Sequence, residues 1–181
     1  MIALVGLPGA GKSTVGRLLS KRLGLPFADS DHEIETRLGV PIREFFAVEG
    51  EDRFRDIETE ELDRLTQSFD GVLSTGGGIV LRPRNRDMLR QRAQVVYLRA
   101  TPEELYKRLR NDQVRPLLQV ADPLQKLKEL HDLRDGWYRE VAHVVIETGR
   151  PSKMALVNSI MQALGLRAVT EVASSSSPST P

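Results

Sequence analysis

The chain contains no cysteine. That absence removes disulfide frameworks, thiolate zinc and iron–sulfur ligation and cysteine nucleophiles together, and it is compatible with a reducing cytosol. Histidine is nearly as scarce, and three scattered residues do not suggest a histidine metal centre. No apolar run approaches the ~20 residues needed to cross a bilayer. Met1 leads straight into strand-like sequence with no signal or transit segment, so a cytoplasmic protein is expected. Charge of one sign is not in excess either. Lys and Arg number 26 against 25 Asp and Glu, a net +1, so no overall field would hold nucleic acid or an acidic membrane surface. Any anion site must be local. What remains is 181 residues, 40% hydrophobic and 28% charged, enough for one sizeable core and too short for two ordinary catalytic domains.

The hydrophobic period switches repeatedly between two and 3.6. Ile2 to Val5 is a β-prone run; a glycine-rich stretch follows to Gly11, and Val15, Leu18, Leu19 and Leu23 then recur at helical spacing. Strand-like sequence returns at Pro26-Phe27-Ala28, at Gly71 to Ser74, at Gln94 to Leu98 and at His143 to Ile146. Helices are predicted over roughly 50–66, from Pro102, and over about 123–141. Five short apolar strands, none joined by a tight hairpin turn, predict an α/β fold with a parallel sheet covered by helices on both faces. Residues 1–167 form one domain in this reading, and 168–181, with Ser174 to Ser177, Pro178 and Pro181, a disordered Ser/Pro-rich tail.

Gly6-Leu7-Pro8-Gly9-Ala10-Gly11-Lys12-Ser13 matches the phosphate-loop pattern and sits between a strand and a helix. Its glycines let backbone N–H groups converge on phosphate oxygens, Lys12 can reach the β- and γ-phosphates, and the Ser13 hydroxyl can ligate Mg²⁺. Neither a guanine-reading Asn-Lys-X-Asp nor an acidic residue at the end of a long apolar strand is present. The acidic pair directly after a strand is Asp29 and Asp31. Such a pair can simply cap the next helix. Beside a phosphate loop it can also serve Mg²⁺ and accept a proton from a hydroxyl nucleophile, which points to a small-molecule kinase.

Taken in order with Gly50-Glu51, Phe54-Arg55, Ser74 to Gly78, Arg115-Pro116-Leu117-Leu118, Arg134 and Tyr138-Arg139, these motifs resemble the shikimate kinases over about residues 2–165. The resemblance implies a three-layer P-loop kinase fold, a five-stranded parallel sheet in order 2-3-1-4-5 with a mobile lid at about 111–121. It further implies ATP-dependent phosphorylation of the 3-hydroxyl of shikimate, on the route to chorismate and the aromatic amino acids, by a monomer that uses Mg²⁺. Lys12, Asp31 and Arg115 would be catalytic, Asp31 as base or as orienter of the hydroxyl. Gly9, Ala10, Gly11, Lys12, Ser13, Thr14, Arg108, Arg115 and Arg150 would hold the nucleotide, with Ser13 on Mg²⁺ and Asp29 in its outer shell. Asp31, Arg55, Gly76, Gly77, Gly78 and Arg134 would hold shikimate, the two arginines clamping its carboxylate bidentately.

Plainer readings stand beside these. Arg55 is also placed to pair with Glu51 one helical turn earlier, while Arg134 borders the apolar stripe of its helix, where a charge is costly unless it faces a cleft. Arg82, Arg84, Arg86, Arg90 and Arg92 read as solvated faces. A gluconate or nucleoside monophosphate kinase would also want arginines for an anionic acceptor, and a nucleotide-binding regulatory module could share the fold without the chemistry. The retention of Lys12, Asp31 and Arg115 speaks against the last.

Overall fold

A strand covered on both faces can bury four consecutive apolar residues, and β1 (Ile2–Val5) is the middle strand of a five-stranded parallel sheet, buried at every position. The computed structural model describes residues 1–110, 120–149 and 152–169. After β1 come α1 (Lys12–Leu23), β2 (Phe27–Asp29), α2 (Ser30–Leu38), α3 (Ile42–Ser68), β3 (Val72–Ser74) and α4 (Pro83–Arg92). They are followed by β4 (Gln94–Arg99), α5 (Pro102–Leu109), α6 (Pro123–Val141), β5 (Val144–Glu147) and α7 (Lys153–Ala163). The sheet order is β2-β3-β1-β4-β5, as expected. Ala3 lies opposite Leu73 on one side and Val95 on the other. The chain thus builds to one side of β1 and then to the other, and the reversal opens a crevice at the carboxyl end of β1, where open α/β sheets take ligands.

Local chemistry explains the element ends nearest that crevice. Asp29 caps α2, its Oδ1 accepting from the Asp31 N–H at 3.2 Å. Thr101 and Glu104 close a capping box around Pro102 and set the start of α5. The helix expected near 50–66 begins earlier, at Ile42, and is broken at Gly50 (φ 81°, ψ 173°), a conformation outside the helical region that glycine tolerates. The segment before the break packs Ile42, Phe45 and Phe46 on a small separate cluster of Ile34, Phe54 and Ile57. The last strand starts at Val144 rather than His143.

Two expectations need correction or restriction. Of the arginines read as solvated, Arg84, Arg90 and Arg92 are exposed as expected, the first and last sharing Asp63, whereas Arg82 and Arg86 are half-buried: Arg86 stacks over Trp137 at 5.2 Å and donates to the Val80 carbonyl at 2.9 Å, and Arg82 pairs with Asp56 at 2.6 Å. Long side chains on α4 reach α3 and α6, which strict polarity patterning does not reveal. At the carboxyl end, the Val169 N–H donates to the Arg22 carbonyl at 3.2 Å, so the chain is still packed within the segment assigned to the tail. Residues 111–119 of the expected lid, including Arg115, as well as Arg150 and the tail beyond Val169, lie outside the described residues. Among the described residues no helix is long and apolar enough to cross a membrane.

α1 approaches the sheet closely because Gly16 has no side chain: a Cβ there would lie 2.7 Å from the Phe27 ring and 3.2 Å from Leu4. Gly16→Ala is therefore expected to lower the unfolding free energy by about 1–3 kcal/mol, the usual cost of overpacking. Urea denaturation checks this, and an unchanged midpoint would mean that α1 can lift from the sheet without loss.

Candidate active site

The β1–α1 connection has to turn tightly under β4. At Gly6 (φ +144°) a Cβ would stand 2.6 Å from the Leu98 carbonyl oxygen, so the loop can leave the sheet here only without a side chain. Gly11 starts α1 with no side-chain cap, leaving the first-turn N–H groups directed at the crevice. Lys12 is nearly buried and folds back over the loop, its Nζ donating to the Gly6 and Leu7 carbonyls at 2.8 and 3.0 Å.

Three oxygen groups converge beside this loop at the carboxyl ends of β2 and β3. The Ser13 hydroxyl donates to Asp29 Oδ2 at 2.7 Å and lies 3.1 Å from the Ser74 hydroxyl. Among the described residues no group of three His, Cys, Asp or Glu could cage a metal. One carboxylate with hydroxyls suits Mg²⁺, which keeps waters and takes its other ligands from nucleotide phosphates. Asp31, at the start of α2, is a strongly perturbed acid of the site. Burial, followed by the neighbouring Asp29 and Glu58 carboxylates, pushes it up to about 6 against the pull of Lys12.

The other end of the crevice carries the arginines. Arg55 on α3 donates from Nη1 to Glu58 at 2.7 Å and from Nη2 to Glu51 at 3.1 Å, with the rings of Phe54 and Phe46 at 5.2 and 5.9 Å. The surface pair read from the sequence thus exists, yet the same guanidinium also lines the cavity. Arg134 on α6 is buried to 8% exposure, its Nη1 donating to the Gly77 carbonyl at 3.0 Å, while its Nε has no hydrogen-bond partner among the described residues. The glycine triplet runs between these groups. A Cβ on Gly76 would meet the Asp31 carboxylate, one on Gly77 would meet Pro8, and one on Gly78 would strike the Arg55 guanidinium.

These residues enclose one cavity of about 620 Å³, lined by Gly9, Gly11, Lys12, Ser13, Thr14, Asp29, Asp31, Arg55, Gly76 to Gly78, Arg108 and Arg134. A second hollow of about 390 Å³ adjoins it, sharing Gly9, Gly11, Thr14 and Arg108, and adds Ala10, Thr148, Gly149 and Lys153. Arg108 is fixed at their junction, donating to Thr148 Oγ1 at 3.2 Å and to the Gly9 carbonyl at 3.4 Å. The predicted residues that are described therefore gather in one connected space, phosphate loop in the middle, arginines and glycine triplet at one end. Arg115 and Arg150 cannot be placed in it.

Glu58 was not singled out from the sequence, although it is 1% exposed, lines the cavity and anchors Arg55. Burial holds it above the usual carboxylate range, even with Arg55 pulling it down. A signal did exist. Phe54, Ile57, Glu58, Glu61, Leu62 and Leu65 form the buried stripe of α3, so two carboxylates occupy core positions of an amphipathic pattern. Ile42 and Phe46, which complete the apolar wall, lie on the part of α3 before residue 50, outside the helix that the sequence predicts.

Comparison with known proteins agrees with this geometry. The family model described as shikimate kinase matches residues 8–165. A shikimate kinase of Ralstonia nicotianae is 53% identical over 177 residues, covering 98% of this chain and 93% of that protein. One of Paracidovorax citrulli is 55% identical over 171 residues, with 93% of each chain covered. The solved shikimate kinase from Acinetobacter baumannii in complex with shikimate superposes with a TM-score of 0.86 at 48% identity, covering 90% of this chain and 91% of that one. A phosphate loop, a half-buried acid and two cleft arginines on this sheet, together with relatives alike over nearly their whole length, establish that the chain belongs to the shikimate kinase family.

Proposed function

We propose that this chain transfers the γ-phosphoryl group of ATP to the 3-hydroxyl of shikimate, releasing ADP and shikimate 3-phosphate for aromatic amino acid synthesis, as a cytoplasmic monomer. The observation that carries the reading is the placement of Asp31 between the phosphate loop and two arginines in one cavity, within a chain of this family. The shikimate-bound relative supports the acceptor.

In the reaction the 3-hydroxyl oxygen forms a bond to the γ-phosphorus, the bond from that phosphorus to the β–γ bridging oxygen breaks, and the hydroxyl proton passes to Asp31. A carboxylate raised toward neutrality by burial is a suitable acceptor, because its proton affinity is close to what transfer at neutral pH requires. The loop N–H groups from Gly9 to Thr14 bind the phosphates, and Lys12 exchanges the Gly6 and Leu7 carbonyls for phosphate oxygens as charge moves onto the leaving group. Ser13 and, through water, Asp29 would hold Mg²⁺, which supplies neutralisation of phosphate charge when bound. Arg55 and Arg134 hold the acceptor's carboxylate, and the glycine triplet lets its ring approach the backbone. Arg108 borders the hollow suited to the base.

A coupled ADP-release assay with shikimate, gluconate and nucleoside monophosphates tests the activity: shikimate is expected to be turned over far more efficiently, and preference for another acceptor would refute it. Asp31→Asn should lower kcat by about 10²- to 10⁴-fold, the range for a lost general base, while stabilising the metal-free, ligand-free protein. The sign follows from the proton inventory. With the acid at 3.8 unfolded and about 6 folded, the folded state holds a proton that the unfolded state has released, so stability falls as pH rises between these values and stays lower above them. Removing the group should return about 2–3 kcal/mol at pH 7 and flatten that slope, by denaturation from pH 4 to 8. Arg55→Ala and Arg134→Ala should each raise the shikimate KM by about 10- to 100-fold with the ATP KM nearly unchanged, since each removes a charged hydrogen-bonding arm. Equal use of shikimate's methyl ester by the unmodified enzyme would remove the clamp.

A further inference from the structure

α6 is fastened to the molecule in two directions within a single turn. Toward the cavity, Arg134 Nη1 and the Tyr138 hydroxyl both donate to the Gly77 carbonyl. One residue on, Asp135 turns toward β4: its Oδ1 accepts from the Tyr97 hydroxyl at 2.8 Å and from Arg99 Nε at 3.0 Å, and its Oδ2 accepts from Arg139 Nε at 2.7 Å. His131 Nε2 also stands 3.6 Å from Oδ1. The two sets of contacts touch, because the buried ring of Tyr97 stacks on that of Tyr138 with centroids 4.9 Å apart. Neither Asp135 nor its donors line the candidate site.

This carboxylate is more heavily engaged than the chemistry described above requires. Its donors hold it down at about 2 against the opposing cost of burial, so it is ionised throughout the working pH range. Consecutive helical residues point about 100° apart, so any roll of α6 that moves Asp135 also sweeps Arg134. A roll of about 15° moves a group carried about 6 Å from the helix axis by roughly 1.5 Å. Displacements of that size are enough to spoil a bidentate contact. We propose that Asp135 is a positioning residue: through Tyr97 and Arg99 it fixes the roll of α6 and thereby the aim of Arg134 at the acceptor's carboxylate. The inference rests on the reading of Arg134 as a shikimate ligand.

Steady-state kinetics of the full chain, combined with thermal melts, test it. Asp135→Ala should raise the shikimate KM by about 10-fold, with kcat and the ATP KM within about two-fold. Asp135→Asn keeps an oxygen for Tyr97 and Arg99 and should limit the rise to about three-fold. The discriminating measurement is the double variant. If Asp135 acts through Arg134, adding Asp135→Ala to Arg134→Ala should cost nothing further in shikimate KM, whereas a merely structural role predicts additive losses. Should Asp135→Ala fail to fold, Tyr97→Phe, which leaves the stacked ring in place, carries the same cycle. An unchanged shikimate KM, additivity, or an equal rise in the ATP KM would overturn the proposal. A normal shikimate KM in Arg134→Ala would overturn the clamp reading and this inference with it, whereas a raised one beside an unaffected Asp135→Ala would overturn this inference alone.

Discussion

Asp29, Asp31 and Glu58 bring three carboxylates to the same edge of the sheet, and Asp31 and Glu58 are withdrawn from water as well. Both proximity and desolvation oppose holding them there. Much of the surrounding architecture can be understood as the compensation. The glycine-rich loop delivers the Lys12 ammonium to the carboxylates from β1, the Ser13 hydroxyl donates to Asp29, and α3 places Arg55 one turn from Glu58 on the same helix. Arg134, carried in by α6, adds a further positive charge that lowers Glu58.

The central strands and the phosphate loop were legible because their signals are local: an apolar run, positive-φ glycines and a lysine at fixed spacing. The sheet order rested on the family resemblance, and the register Ala3 to Leu73 and Val95 agrees with it. α4 was illegible for a physical reason. Its stretch from Pro83 to Arg92 buries only Asn85, Met88 and Leu89, too few apolar positions to show a period. Its arginines are ordered by partners such as Trp137 and Asp63 that are distant in sequence.

Arg55 shows why site residues are harder to read than elements. Spacing of four from Glu51 describes an exposed helical pair correctly, yet spacing carries no information about the other edges of a guanidinium. One edge faces solvent through Glu51, another faces a buried carboxylate, and the group as a whole lies against Gly78. Both readings of the residue hold at once. Glu58 presents the reverse case, a charge whose meaning lay in its interruption of an apolar stripe.

The break at Gly50 divides the longest helix into parts anchored in different places. Residues beyond it carry Leu62 and Leu65 into the main core, whereas Ile42, Phe45 and Phe46 before it rest on a cluster with only Ile34, Phe54 and Ile57 fully buried. Helical hydrogen bonding is interrupted between the two, so opening of the first does not require fraying of the second. Local free energies of opening follow buried apolar contact. Amide protons of residues 42–49 should therefore exchange with solvent through a small, sub-global fluctuation, while those of 54–65 await unfolding of the sheet, so the apolar wall of the acceptor end, with Ile42 and Phe46 before the break and Phe54 after it, joins two segments of unequal stability.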